Sequence, residues 1–189
     1  MSEAMALESL AEQWLRSEGY WTQTRVPFRM RRGNSDLDVL GVNLKRRVVV
    51  IECKGWGGPE YYPTYNTQRL EEEVVPLCRK AKKDLKYFLA SVASRKLEIT
   101  RVYEFRLVLP GHLPDGAQKR DMEKDLKKRC GLACNLRIFS VHEVIRDLQK
   151  WVGEDMHIRR KRYADTALEM LRWVWRSGGQ ICWRNPKGE

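Results

Sequence analysis

Nothing in the 189-residue chain approaches the about 18 uninterrupted apolar residues that a membrane-spanning helix needs, so no transmembrane segment is expected. The N-terminus, MSEAMALESLAEQWLRSEGY, lacks a basic stretch followed by an apolar core, which argues against a signal peptide and for a soluble, cytoplasmic protein. Histidines are few: His112, His142 and His157 are scattered, follow no zinc-binding spacing and receive no chemistry. The five cysteines are odd in number and contain no CxxC pair, which suits a reducing compartment better than a disulfide framework. Internal repeats and low-complexity linkers are also missing.

Positive charge, by contrast, is abundant. Lys and Arg outnumber Asp and Glu by 36 to 25, for a net charge of +11, and the surplus is clustered. Arg25, Arg29, Arg31 and Arg32 form one group, Lys45 to Arg47 a second, Arg79 to Lys83 a third, Lys127 to Arg129 a fourth, and Arg159, Arg160, Lys161 and Arg162 a fifth. Clusters of this kind neutralise phosphates and release counterions, so a polyanion is the expected partner. The 42% apolar content and clear periodicity exclude disorder, and the length fits one domain with a small appendage.

Apolar residues Leu7, Leu10, Ala11, Trp14 and Leu15 recur at helical spacing over Ala4 to Arg16, and Gly19 stops the helix. Two strands, Tyr20 to Arg29 and Asp36 to Leu44, flank a turn in which Gly33 and Asn34 tolerate positive φ. A third strand, Val48 to Lys54, follows a short basic turn, so these neighbours are expected to be antiparallel. After a Gly, Pro and Tyr-rich loop, the pattern predicts a helix from Thr67 to about Ser94, kinked or split near Pro76. A fourth strand, a charged helix, a fifth strand (NLRIFSV) and a helix running to Trp151 follow, the last opened by Ser140 and Glu143 at capping-box spacing. Strands separated by helices require crossovers, so the fold class is α/β: a mixed sheet of about five strands with helices on its faces. Residues 1–152 form the expected core and 153–189 a C-terminal helical extension.

The third strand carries the chemistry. VVVIECK begins as a run buried on both faces yet ends in charge; alternation puts Glu52 and Lys54 on one face and Cys53 on the other with Val49 and Ile51. On the preceding strand, SDLDVLG, Asp36 and Asp38 also share a face, and the short connection brings Asp38 near Glu52. Converging carboxylates repel one another unless a hard cation compensates. Magnesium suits them, since it needs only one or two protein carboxylates and takes its other ligands from water and phosphate. Lys54 is placed to orient a water or to stabilise a charged phosphate.

Asp38 followed fourteen residues later by Glu52-Cys53-Lys54 resembles the PD-(D/E)xK nuclease superfamily, over roughly Leu7 to Gln68 and more loosely to residue 150. Leu37 stands where the family's proline would be. Glu8, eleven residues before Gly19, is similar to a first-helix glutamate in the branches of archaeal Holliday-junction resolvases and Mrr-like restriction enzymes. Gln68, fourteen residues after Lys54, is similar to a glutamine on the following helix in some members. The resemblance implies a restriction endonuclease-like core, a magnesium site (manganese as substitute) made by Asp38, Glu52, Glu8 and the Cys53 carbonyl, and catalysis by these acids with Lys54. Arg29, Arg31, Arg32, Trp56, Tyr61, Gln68 and Arg159 to Arg162 are the expected DNA contacts, with aromatic rings available to stack on bases. A homodimer would let two strands be cut. A structure-selective DNA nuclease is expected ahead of a restriction-type enzyme, because little lies outside the core to read base edges. An RNA-cleaving nuclease and a non-catalytic nucleic-acid-binding module on the same fold are the alternatives.

Overall fold

A computed structural model describes residues 3–54, 63–94 and 99–155. Trp56, Tyr61, Arg159, Arg160, Lys161, Arg162 and residues 156–189 of the C-terminal extension lie outside the described residues. In chain order the elements are α1 (Glu3–Ser17), β1 (Trp21–Arg29), β2 (Asn34–Val42), β3 (Val48–Cys53), α2 (Thr67–Arg69), a π-helical segment (Leu70–Val74) and α3 (Val75–Ser94). Then follow β4 (Glu104–Leu109), α4 (Gly116–Cys130), β5 (Asn135–Ser140) and α5 (Val141–Asp155).

The strands form one mixed sheet in the order β1-β2-β3-β4-β5. β1, β2 and β3 are antiparallel neighbours, whereas β4 and β5 continue the sheet parallel to β3. The local chemistry explains the tight connections. At the β1–β2 turn Gly33 takes φ +87° and its carbonyl accepts the Met30 N–H, a conformation a side chain would oppose. Asn34 needs no such freedom, because it already belongs to β2. In the basic β2–β3 turn the Asn43 side-chain oxygen accepts the Lys45 and Arg47 amides at 3.0 Å each, holding Arg46 at φ +55°.

Both faces of the sheet are covered. Leu7, Ala11, Trp14 and Leu15 of α1 pack with Val144, Ile145, Leu148 and Val152 of α5 over Val39, Val49 and Ile51. On the opposite face Val75, Cys78, Ala81, Leu85 and Phe88 of α3, with Leu126 and Cys130 of α4, cover Val48, Val50, Phe105 and Leu107. β3 is therefore apolar on both sides until Glu52, and burying each such side chain contributes roughly 1.5–3 kcal/mol.

Two expectations change in detail. The helix after the loop is not split at Pro76; the missing amide is absorbed by the π-helical segment immediately before it, where the Val75 N–H reaches back to the Leu70 carbonyl. α5, expected to run to Trp151, reaches Asp155. Its first turn is the expected capping box: the Glu143 N–H donates to Ser140 Oγ at 3.2 Å and the Ser140 N–H to Glu143 Oε2 at 2.8 Å.

Candidate active site

The charged end of β3 sits at one rim of the sheet. Because β4 and β5 run parallel to β3, all three strands deliver their carboxyl ends there, the usual place for a ligand crevice in such sheets. Antiparallel β2 brings its N-terminal half to the same rim, with Val39 opposite Ile51.

Asp38 occupies a distorted place in β2. Strict alternation would put Leu37 and Val39 on one face. Instead Leu37 packs in the α3–α4 core and Val39 in the α1–α5 core, so the strand rolls by one position at Asp38. The β1–β2 ladder keeps one register from Trp21↔Val42 to Arg29↔Asn34 but skips Arg25 opposite Asp38, and Arg25 takes φ +50°. The roll aims Asp38 at β3, where its Oδ2 accepts the Cys53 N–H at 2.7 Å.

That geometry shows in the electrostatics. Burial, followed by the negative charge of Glu52, pushes the Asp38 carboxyl up to about 7, against the lowering effect of the Cys53 N–H; Glu8 and Asp36 push further upward. Burial likewise raises Glu52, partly offset by Lys80. The Cys53 thiol lies on the α1 side, 4.0 Å from the Leu7 carbonyl, and is raised well above its usual range by burial and then by Asp38, Glu52 and Glu8. Glu52 and Glu8 thus both bear on the Asp38 carboxyl.

Lys54, Glu52 and Glu8 each already have a partner from outside the motif. Lys54 pairs with Glu73 of the π-helical segment. Glu52 accepts from Lys80 Nζ at 3.2 Å, and the same ammonium lies 3.7 Å from Asp84 Oδ2 one helical turn further along α3. Glu8 accepts from Arg25 Nε at 3.0 Å. Glu12, the other α1 acid on this side, is directed away, to Arg16 and Thr22. The sequence reading missed Glu73, Lys80 and Asp84. A signal was present: positions 73, 80 and 84 fall on one helical face, and Asp84 interrupts the apolar stripe of Ala81, Leu85 and Phe88.

Gln68 is exposed and donates to Glu72 Oε1 at 2.9 Å. Arg29, Arg31 and Arg32 are exposed at the tip of the β1–β2 hairpin. The tip overhangs the acids: Asn34 stands four residues beyond Asp38, about 14 Å at the usual strand rise.

The donor set fits a hard divalent cation held by two protein carboxylates, because Asp38 and Glu52 are buried oxygen donors and the charge of Glu52 helps raise Asp38. Among the described residues no three His, Cys, Asp or Glu side chains are gathered around one point.

No protein-family model matches the chain, and no curated protein sequence matches it. Among solved structures it is similar to a protein of unknown function, AF1548, at 14% identity and a TM-score of 0.40, over 94% of this chain and 79% of that one. It is similar to a repair endonuclease from Pyrococcus abyssi at 22% identity and 0.35, over 75% and 47%. The restriction endonuclease FokI bound to DNA is matched at 16% and 0.45, over 90% and 26%. The chain thus spans less than half the length of these two endonucleases. No helix among the described residues is long and apolar enough to cross a membrane.

Proposed function

We propose that the chain is a magnesium-dependent DNA endonuclease in which Asp38 and Glu52 hold the cation and Lys54 acts on the phosphate. The observation that carries this reading is the placement of Asp38 against the charged end of β3, where its Oδ2 accepts the Cys53 N–H at 2.7 Å, between Glu52 and Lys54 in the chain. Bound magnesium supplies a coordinated water of lowered pKa and neutralises charge on the phosphate; manganese is a substitute. Glu8 is an accessory carboxylate from α1, and the Cys53 carbonyl is a further candidate oxygen. Lys54, once released from Glu73, places an ammonium where a scissile phosphate develops charge. Arg29, Arg31 and Arg32 grip the backbone without reading bases, which favours a structure-selective substrate over a sequence-specific one. Cleavage of both strands favours a homodimer.

The test compares labelled single-stranded, duplex, flapped and four-way DNA with RNA, each with and without magnesium. Magnesium-dependent cleavage of DNA is expected, and Lys54→Ala should bind but not cut. Retained cleavage in the Lys54→Ala, Glu52→Ala double variant would overturn the mechanism. A binding-only module is the second reading, favoured by the ion pairs that already neutralise Glu52, Lys54 and Glu8, and it predicts no effect of EDTA on any activity.

A further inference from the structure

We infer that Lys80 is an internal placeholder for the divalent cation: its ammonium compensates Glu52 until the ion arrives and then retires to Asp84. The inference rests on the proposed metal site and adds to it a residue outside the motif.

The geometry gives one ammonium two acceptors. Lys80 Nζ is 3.2 Å from Glu52 Oε1 and 3.7 Å from Asp84 Oδ2, so both carboxylates are within reach of one side chain. Lys80 itself is 58% exposed, which leaves its four-carbon stem free to swing. Asp84 is almost wholly buried, at 5% exposure, and an uncompensated carboxylate there would be costly. Lys80 therefore has a reason to stay near α3 wherever it points. Glu52 has the converse need, standing near Asp38, Asp36 and Asp84 with Lys80 as its compensating charge.

A cation that takes Glu52 must displace this ammonium, and the displaced ammonium has a seat one turn away on its own helix. The site is thereby kept folded without metal, at the expense of metal affinity. Displacement also moves positive charge toward Asp84, away from the ligand oxygens, so ion and ammonium do not compete once the exchange is complete.

The test is a titration of the full chain with manganese chloride in the absence of DNA, free ion being counted by electron paramagnetic resonance. Lys80→Met should bind manganese about fivefold more tightly, the scale of losing one partly exposed ionic competitor. Asp84→Asn, which removes the second seat, should bind about threefold more weakly. Lys83→Met removes the same charge from an exposed neighbour on α3 and should shift affinity by less than about twofold at physiological salt, where exposed charges are screened. Lys80→Gln serves if the methionine variant does not fold, with urea unfolding in saturating manganese as the check. Equal affinity in wild type and both Lys80 variants, while Glu52→Gln still abolishes binding, overturns the placeholder and leaves the metal site standing. Equal tightening by Lys83→Met overturns it too, reducing the effect to net charge. No binding by the wild-type chain overturns both readings.

Discussion

Asp38→Asn should make the metal-free protein more stable while abolishing cleavage. Burial, then Glu52, hold the Asp38 carboxyl at about 7 instead of 3.8. The folded chain therefore keeps a proton that the unfolded chain has already released, and stability falls as pH rises from about 4 to about 7. Roughly three pKa units at about 1.4 kcal/mol each give on the order of 4 kcal/mol once the group is ionised. Partial solvent access discounts this toward about 2 kcal/mol. Asparagine keeps an oxygen for the Cys53 N–H and removes the charge. In EDTA at pH 8 the variant should thus gain about 2–4 kcal/mol in urea unfolding, or about 5–12 °C in melting temperature for a chain of this size. The gap should shrink steadily toward pH 4. A variant less stable than wild type at pH 8, or a gap that does not change with pH, would refute the reasoning.

Three further outcomes follow from other parts of the molecule. Replacing Arg29, Arg31 and Arg32 by alanine should flatten the logarithmic salt dependence of duplex DNA binding by about 2–3, measured by fluorescence anisotropy; an unchanged slope removes the hairpin tip from the interface. Gly111→Ala should cost about 3 kcal/mol in urea unfolding, because Gly111 has φ +115° and a Cβ would stand 2.2 Å from the Pro63 carbonyl oxygen; wild-type stability would contradict that packing. Arg106→Met should cost about 3 kcal/mol, since buried Arg106 donates to Glu18 at 2.8 and 2.7 Å and to Glu104 at 2.6 Å while stacking on Trp14; a neutral result by the same assay would show those acids to be well solvated.

Much of the architecture was legible because each element carries its own signature. The α1 stripe, the doubly buried VVVI run and the Ser140–Glu143 box each point to one local structure, and they agree with one another. The placement of Glu52, Cys53 and Lys54 on alternate faces followed from strand geometry alone. The roll at Asp38 did not, because it depends on Arg25 adopting a left-handed conformation across the ladder, for which an arginine gives no hint. The partners on the π-helical segment and α3 were hidden for a different reason. Helical spacing groups Glu73, Lys80 and Asp84, but only the packing of α3 on the sheet decides that this face meets Glu52 and Lys54. Pro76 marks a perturbation correctly, but the sequence does not say that the chain answers it by widening one helical turn.

The arm that carries the exposed arginines and the strand that carries Asp38 are one continuous lever. On the proposed reading, a load placed on the tip by DNA would travel along β2 to the Asp38 carboxylate, coupling grip to acid placement. Lengthening the arm by a matched pair of residues on each strand would extend its reach with every side chain upright, whereas a single added residue would turn the inner half over.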